Sequence, residues 1–78
     1  MIEFDNKAIG VIIRSLREER GLTQEVLSGL AGIARTHLSM IETGTKQANL
    51  ETIWKIANAL EMLPSELISK VETSIGKK

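Results

Sequence analysis

The 78-residue sequence has no cysteine and no tyrosine, one proline, one phenylalanine and one tryptophan, and its ten basic residues balance ten acidic ones. Each absence excludes something. Without cysteine there are neither disulfides nor thiolate zinc sites. His37 is the only histidine, and one imidazole alone does not make a metal site, so no metal and no cofactor are expected. With no surplus of positive charge, indiscriminate attraction to nucleic acid is excluded, which leaves a binder that concentrates a few contacts on one face. No apolar run approaches the ~20 residues of a membrane span. The acidic opening Met1-Ile2-Glu3-Phe4-Asp5 is unlike a signal peptide, so a soluble cytoplasmic protein without membrane contact is expected. Catalytic chemistry is missing too. Thr36-His37-Leu38-Ser39 sets a serine near a histidine, but neighbours on a helix surface are not an oriented nucleophile, base and carboxylate. Glu18-Glu19 reads as a solvated charge pair, and the glycines form no phosphate-cradling loop. Neither an enzyme nor a small-molecule ligand is expected.

What is present is helical periodicity. A 42% hydrophobic content supports one core, although chains this short bury only roughly 60% of their extended surface and are often helped by association. Ala8, Ile9, Ile12, Ile13 and Leu16 recur at helical spacing between Asp5, a candidate N-cap, and Gly21, a candidate stop. Gly10 inside this helix costs about 1 kcal/mol of propensity relative to alanine, which predicts close packing there. Asn49 caps a later helix with Leu50, Ile53, Trp54, Ile56, Ala57 and Leu60 on a broad apolar face, and this spacing places Trp54 in the core. Pro64 suits the first turn of a last, short amphipathic helix reaching about residue 72. Residues 73–78 read as a frayed tail, and Thr43 to Ala48 as a loop. The expected fold is all-α, a compact five-helix domain over residues 1–78 with its core about 6–72.

The most informative stretch runs from Thr23 to Glu42. Thr23 has the chemistry of an N-cap, and Leu27, Leu30 and Ala31 give one apolar face over about 24–31. Gly32 supplies a left-handed stop. Leu38 and Ile41 then continue the apolar pattern over about 34–42, opposite Arg35, Thr36 and Ser39. Two short helices crossing through a tight turn, with small residues Ser28 and Ala31 between them, are the helix-turn-helix unit.

These residues carry a family resemblance. Leu16-Arg17, Gly21-Leu22-Thr23-Gln24, Leu27-Ser28, Ala31-Gly32-Ile33, Arg35-Thr36, Leu38-Ser39, Ile41-Glu42, Gly44, Leu50, Ile53, Ile56-Ala57 and Ala59-Leu60 resemble the Cro/lambda-repressor-type, or xenobiotic-response-element, helix-turn-helix family over roughly residues 7 to 68. Arg35-Thr36-His37 and the short length also resemble restriction–modification controller proteins, which typically carry tyrosine where His37 stands. The resemblance implies that the helix starting near Arg35 enters the major groove of double-stranded DNA. Arg35 has the planar fork that bonds both O6 and N7 of guanine, Thr36 offers a hydroxyl and a methyl, Ser39 lies one turn on, and Met40 adds apolar contact. His37 is expected beside that surface. Gln24, at a helix start, is expected to help hold a phosphate. Lys46, Gln47 and Asn49 are placed near the DNA backbone, Asn49 with an alternative role as a cap only. Arg17 and Glu42 match a family pair tying the first helix to the end of the recognition helix.

One recognition helix reads few base pairs, so two copies on half-sites about one turn (~34 Å) apart are expected. Leu60, Met62, Leu63, Leu67, Ile68 and Val71 exceed the evident needs of one small core and form the expected homodimer surface. The reading is a sequence-specific transcriptional regulator on a pseudo-palindromic operator. The alternatives are the antitoxin of a two-protein module and a protein–protein adaptor that has lost DNA binding.

Overall fold

The computed structural model describes residues 2–76 and contains five helices, with no strand among the described residues: α1 Asn6–Glu19, α2 Gln24–Ala31, α3 Arg35–Thr43, α4 Leu50–Ala59 and α5 Pro64–Gly76. Local chemistry starts them. The Asp5 carboxylate accepts from Lys7 N at 3.0 Å and Ala8 N at 3.3 Å, the Thr23 hydroxyl from Val26 N at 3.1 Å, and Asn49 Oδ1 from Thr52 N at 2.8 Å. At α5 the third-position Glu66 reaches back to accept from Leu63 N at 2.8 Å, one half of a capping box.

α1 packs on α3 and α5, and α4 packs on α2 and α5, so α2 and α3 sit as a crossed pair against the other three helices. Ile13, Leu27, Leu38, Ile41, Ile56, Leu60 and Leu67 are fully buried where these faces meet. Ser28 and Ala31, the small residues expected at the α2–α3 crossing, are buried as well.

Several expectations are corrected. α5 continues through Gly76, so residues 73–76 are helical rather than a frayed tail; Lys77 and Lys78 lie outside the described residues. Val71 is buried and Ile75 half-buried, and the last turn stands beside Ile2, which supplies contacts that an unpacked end lacks. Trp54 is 54% exposed rather than in the core, and Leu30 and Leu50 are exposed as well. α4 covers its Ile53, Ile56 and Ala57 face with α2 and α5, and that leaves Leu50 and Trp54, one turn apart, on an uncovered flank. Leu60, Met62, Leu67 and Val71 are buried within the protomer, so these four do not form a free dimer surface; Leu67 and Val71 are the inward face of α5 itself, and Leu60 and Met62 lie in the core before it. Only Leu63 and Ile68 of the expected six remain exposed.

Candidate nucleic-acid interface

The geometry of α3 follows from its two ends. At its C-terminal end, Gly44 adopts a left-handed conformation with φ 79°, and Thr45 N and Lys46 N both donate to Met40 O, at 3.0 and 3.2 Å. The Thr45 hydroxyl also donates to Met40 O at 3.1 Å, so the loop carrying Lys46 and Gln47 is folded onto the end of the helix. At the N-terminal end Ala34 makes no side-chain cap hydrogen bond. Arg35 and Thr36 occupy this first turn and are exposed.

Leu38, Ile41 and Glu42 face the protein interior. Arg35, Thr36, Ser39 and Met40 are spaced i, i+1, i+4 and i+5 and so share the opposite stripe. Met40 is 46% exposed, and Ser39 and His37 are half-buried, with His37 at the border between stripe and core. Lys46, Gln47 and Asn49 are exposed beyond the end of the helix. Asn49 takes the capping role, its side-chain oxygen being used by Thr52 N. Thr52 itself is buried.

Beneath the stripe lies a buried ionic knot. Arg17 donates through Nε and NH2 to the two carboxylate oxygens of Glu42 at 2.8 and 3.0 Å, and through NH1 to Leu22 O at 2.8 Å. The Glu42 side chain is 1% exposed and that of Arg17 11%. The hydrogen bond to Glu42 raises the guanidinium pKa above its ordinary value, against the opposing effect of burial. Gln24 joins the knot: its Nε2 donates to Glu42 Oε1 at 3.0 Å. This departs from the outward role expected of Gln24, since one of its two amide donors is committed inside the protein. Sequence spacing places Gln24 at a helix start but contains no sign of what the amide meets across 18 residues.

A second surface was legible in the sequence only in part, through Leu63 and Ile68. Leu50, Trp54, Leu63 and Ile68 are all exposed and line, with Pro64, a shallow depression of about 530 Å³ between α4 and α5. The available signal was the breadth of the apolar arc on α4, wider than one covered face requires.

The Helix-turn-helix family, HTH_3, matches residues 13–67 of the chain. Among curated relatives, an uncharacterized HTH-type transcriptional regulator of Sinorhizobium fredii, y4dJ, is 33% identical over 73 residues, which are 92% of this chain and 95% of the relative. The crystal structure of the restriction–modification controller protein C.AhdI from Aeromonas hydrophila superposes with a TM-score of 0.78 at 38% identity, over 81% of this chain and 96% of that one. The controller protein C.Esp1396I, solved as a tetramer in complex with its natural 35 base-pair operator, superposes with a TM-score of 0.85 at 25% identity, over 94% and 96% of the two chains. With a crossed α2–α3 pair, a stripe of exposed polar residues on α3 and these likenesses together, the chain belongs to the helix-turn-helix family of transcriptional regulators.

Proposed function

We propose that this protein is a sequence-specific DNA-binding transcriptional regulator, without enzymatic activity, that works in the cytoplasm as one DNA-binding unit per chain. Two copies bind a pseudo-palindromic operator, each with α3 in a major groove. The observation that carries the reading is the uncommitted state of Arg35. It stands exposed on the first turn of α3, and neither ion pair among the described residues involves it. Its fork is therefore available for the O6 and N7 acceptors of guanine, with Thr36, Ser39 and Met40 beside it for neighbouring bases and His37 at the edge. Lys46 supplies a charge to the phosphate backbone, and Gln47 and the remaining amide donor of Gln24 contribute to holding phosphates.

The homodimer face is Leu63 and Ile68 with Trp54 and Leu50, in place of the buried residues named from the sequence. Large exposed apolar side chains gathered in one place mark an association surface. A molecule of 35 × 23 × 21 Å has the size to pair with a copy and set two recognition helices about one turn (~34 Å) apart. The controller-protein relative held on its operator is likewise a multi-copy assembly.

The test is selection of bound duplexes from a random-sequence pool at near-physiological salt and sub-micromolar protein. An enriched inverted repeat with half-sites about one turn (~34 Å) apart is the expected outcome. Recovery of unenriched sequence, with only weak salt-sensitive binding, overturns the proposal.

A further inference from the structure

We infer that Gly10, which lies on α1 away from the recognition stripe, is a specificity-determining residue that sets the position of the recognition helix; the inference rests on the DNA-binding reading above. α1 holds the C-terminal end of α3, while α2 packs on the same helix from the other side. Asn6 Nδ2 donates to Gly44 O at 3.0 Å, Arg17 grips the Glu42 carboxylate, and Gly10 lies directly against the backbone of the last turn. A Cβ built on Gly10 would fall 2.5 Å from Glu42 O and 2.8 Å from Glu42 C, and closer still to Ile41 O. These are backbone atoms of a packed helix, so no side chain is able to swing aside. The base-reading end is seated differently: fully buried Leu38 and the packing of α2 hold it from beneath, Ala34 adds no side-chain cap, and Arg35 and Thr36 are exposed.

Any side chain at residue 10 therefore forces α1 and α3 apart until ordinary contact is restored, a displacement of about 1 Å. Hydrogen bonds to base edges operate within roughly 2.7–3.2 Å, so a shift of that size removes them. Contacts to phosphate survive, because a lysine such as Lys46 carries its charge on a flexible stem. Separation at Gly10 thus lowers discrimination between sequences while leaving non-specific attraction in place.

The experiment titrates wild type, Gly10→Ala and Asn6→Ala, as full chains, against the duplex that wild type selects and against a scrambled duplex, with circular dichroism at the same temperature reporting the folded fraction. The expected result for folded Gly10→Ala is a drop of about tenfold or more in the ratio of specific to scrambled affinity. Scrambled-duplex affinity should stay within about twofold of wild type, because it depends on phosphate charge alone. Single-base variants of the duplex separate positioning from lost contact: Gly10→Ala flattens preference at every base pair that α3 reads, whereas Arg35→Ala flattens one. A folded Gly10→Ala protein with the wild-type ratio overturns the inference. If Gly10→Ala does not fold, Asn6→Ala decides: a reduced ratio supports it, and an unchanged ratio overturns it. A wild-type protein that selects no duplex overturns the DNA-binding reading, and this inference with it, before any variant is made.

Discussion

At the scale of single residues, Arg17 and Glu42 show how an ionic pair is made tolerable in a small core. Glu42 accepts from three nitrogens, two of Arg17 and one of Gln24, so its buried carboxylate is hydrogen-bonded on both oxygens. Removing one partner strands the other. Glu42→Ala is expected to lower unfolding stability by about 3–5 kcal/mol, a large share of the roughly 5–15 kcal/mol of a typical domain; urea titration measures it. The double replacement Arg17→Met, Glu42→Leu should recover most of that loss, because no uncompensated charge remains. The Arg17 pKa is raised, so its contribution is complete below the ordinary guanidinium range and is lost only as pH rises through the raised value. Between pH 6 and 9 (roughly, the range far below any arginine titration) Arg17 should therefore add no slope to stability. Exposed residues act differently. Arg35→Ala should cost about 1–3 kcal/mol at one base pair per half-site, whereas Lys46→Ala should weaken all sequences alike and reduce the salt slope by about one, both measured by titration against base-substituted duplexes.

At the scale of elements, the first four helices end in the same motif. Leu22 N donates to Arg17 O, Ile33 N to Ser28 O, Thr45 N to Met40 O and Met62 N to Ala57 O, each closing the last turn over a left-handed residue. That residue is Gly21, Gly32 and Gly44 in three cases and Glu61, with φ 58°, in the fourth. A side chain in this conformation costs about 1–2 kcal/mol. Glu61→Gly is accordingly expected to stabilise the fold by about 1 kcal/mol after the added freedom of the unfolded chain is deducted. For a domain of this size that raises Tm by about 4–8 °C in a thermal melt. A melt that falls or stays unchanged contradicts this account of α4. Gly44 read only as part of a loop, whereas the stops at Gly21 and Gly32 and the caps at Asp5, Thr23 and Asn49 were legible in the sequence, because each is a short-range bond between a residue and its own neighbours. The turn at Glu61 was not, since nothing about a glutamate signals a positive φ.

At the scale of the whole molecule, the uncovered α4–α5 face is the proposed site of assembly. Ile68→Glu places a charge among Leu50, Trp54 and Leu63, at an exposed position outside the protomer core. It should leave the protomer folded and convert dimers to monomers in sedimentation at tens of micromolar protein (roughly the range where association by such faces is read). Wild-type Tm should rise with concentration and that of Ile68→Glu should not. Trp54, the sole tryptophan, reports the same event, with emission shifting to shorter wavelength as the face is covered. A wild-type protein that stays monomeric in this range removes the dimer from the proposed function.

The order of five helices, their boundaries to within a few residues, the α2–α3 pair and the Arg17–Glu42 pairing were all determined by the sequence, through caps, periodicity and family resemblance. Periodicity gives the direction in which each side chain leaves its helix, and it says nothing about what lies in that direction. Only the tertiary structure decided that Leu30, Leu50 and Trp54 meet solvent while Leu60, Met62, Leu67 and Val71 are covered. It likewise decided that Gln24 turns to Glu42 and that Gly10 touches the backbone of α3. Burial and contact are properties of two elements brought together, and the distance between them is set by packing that no single helix encodes.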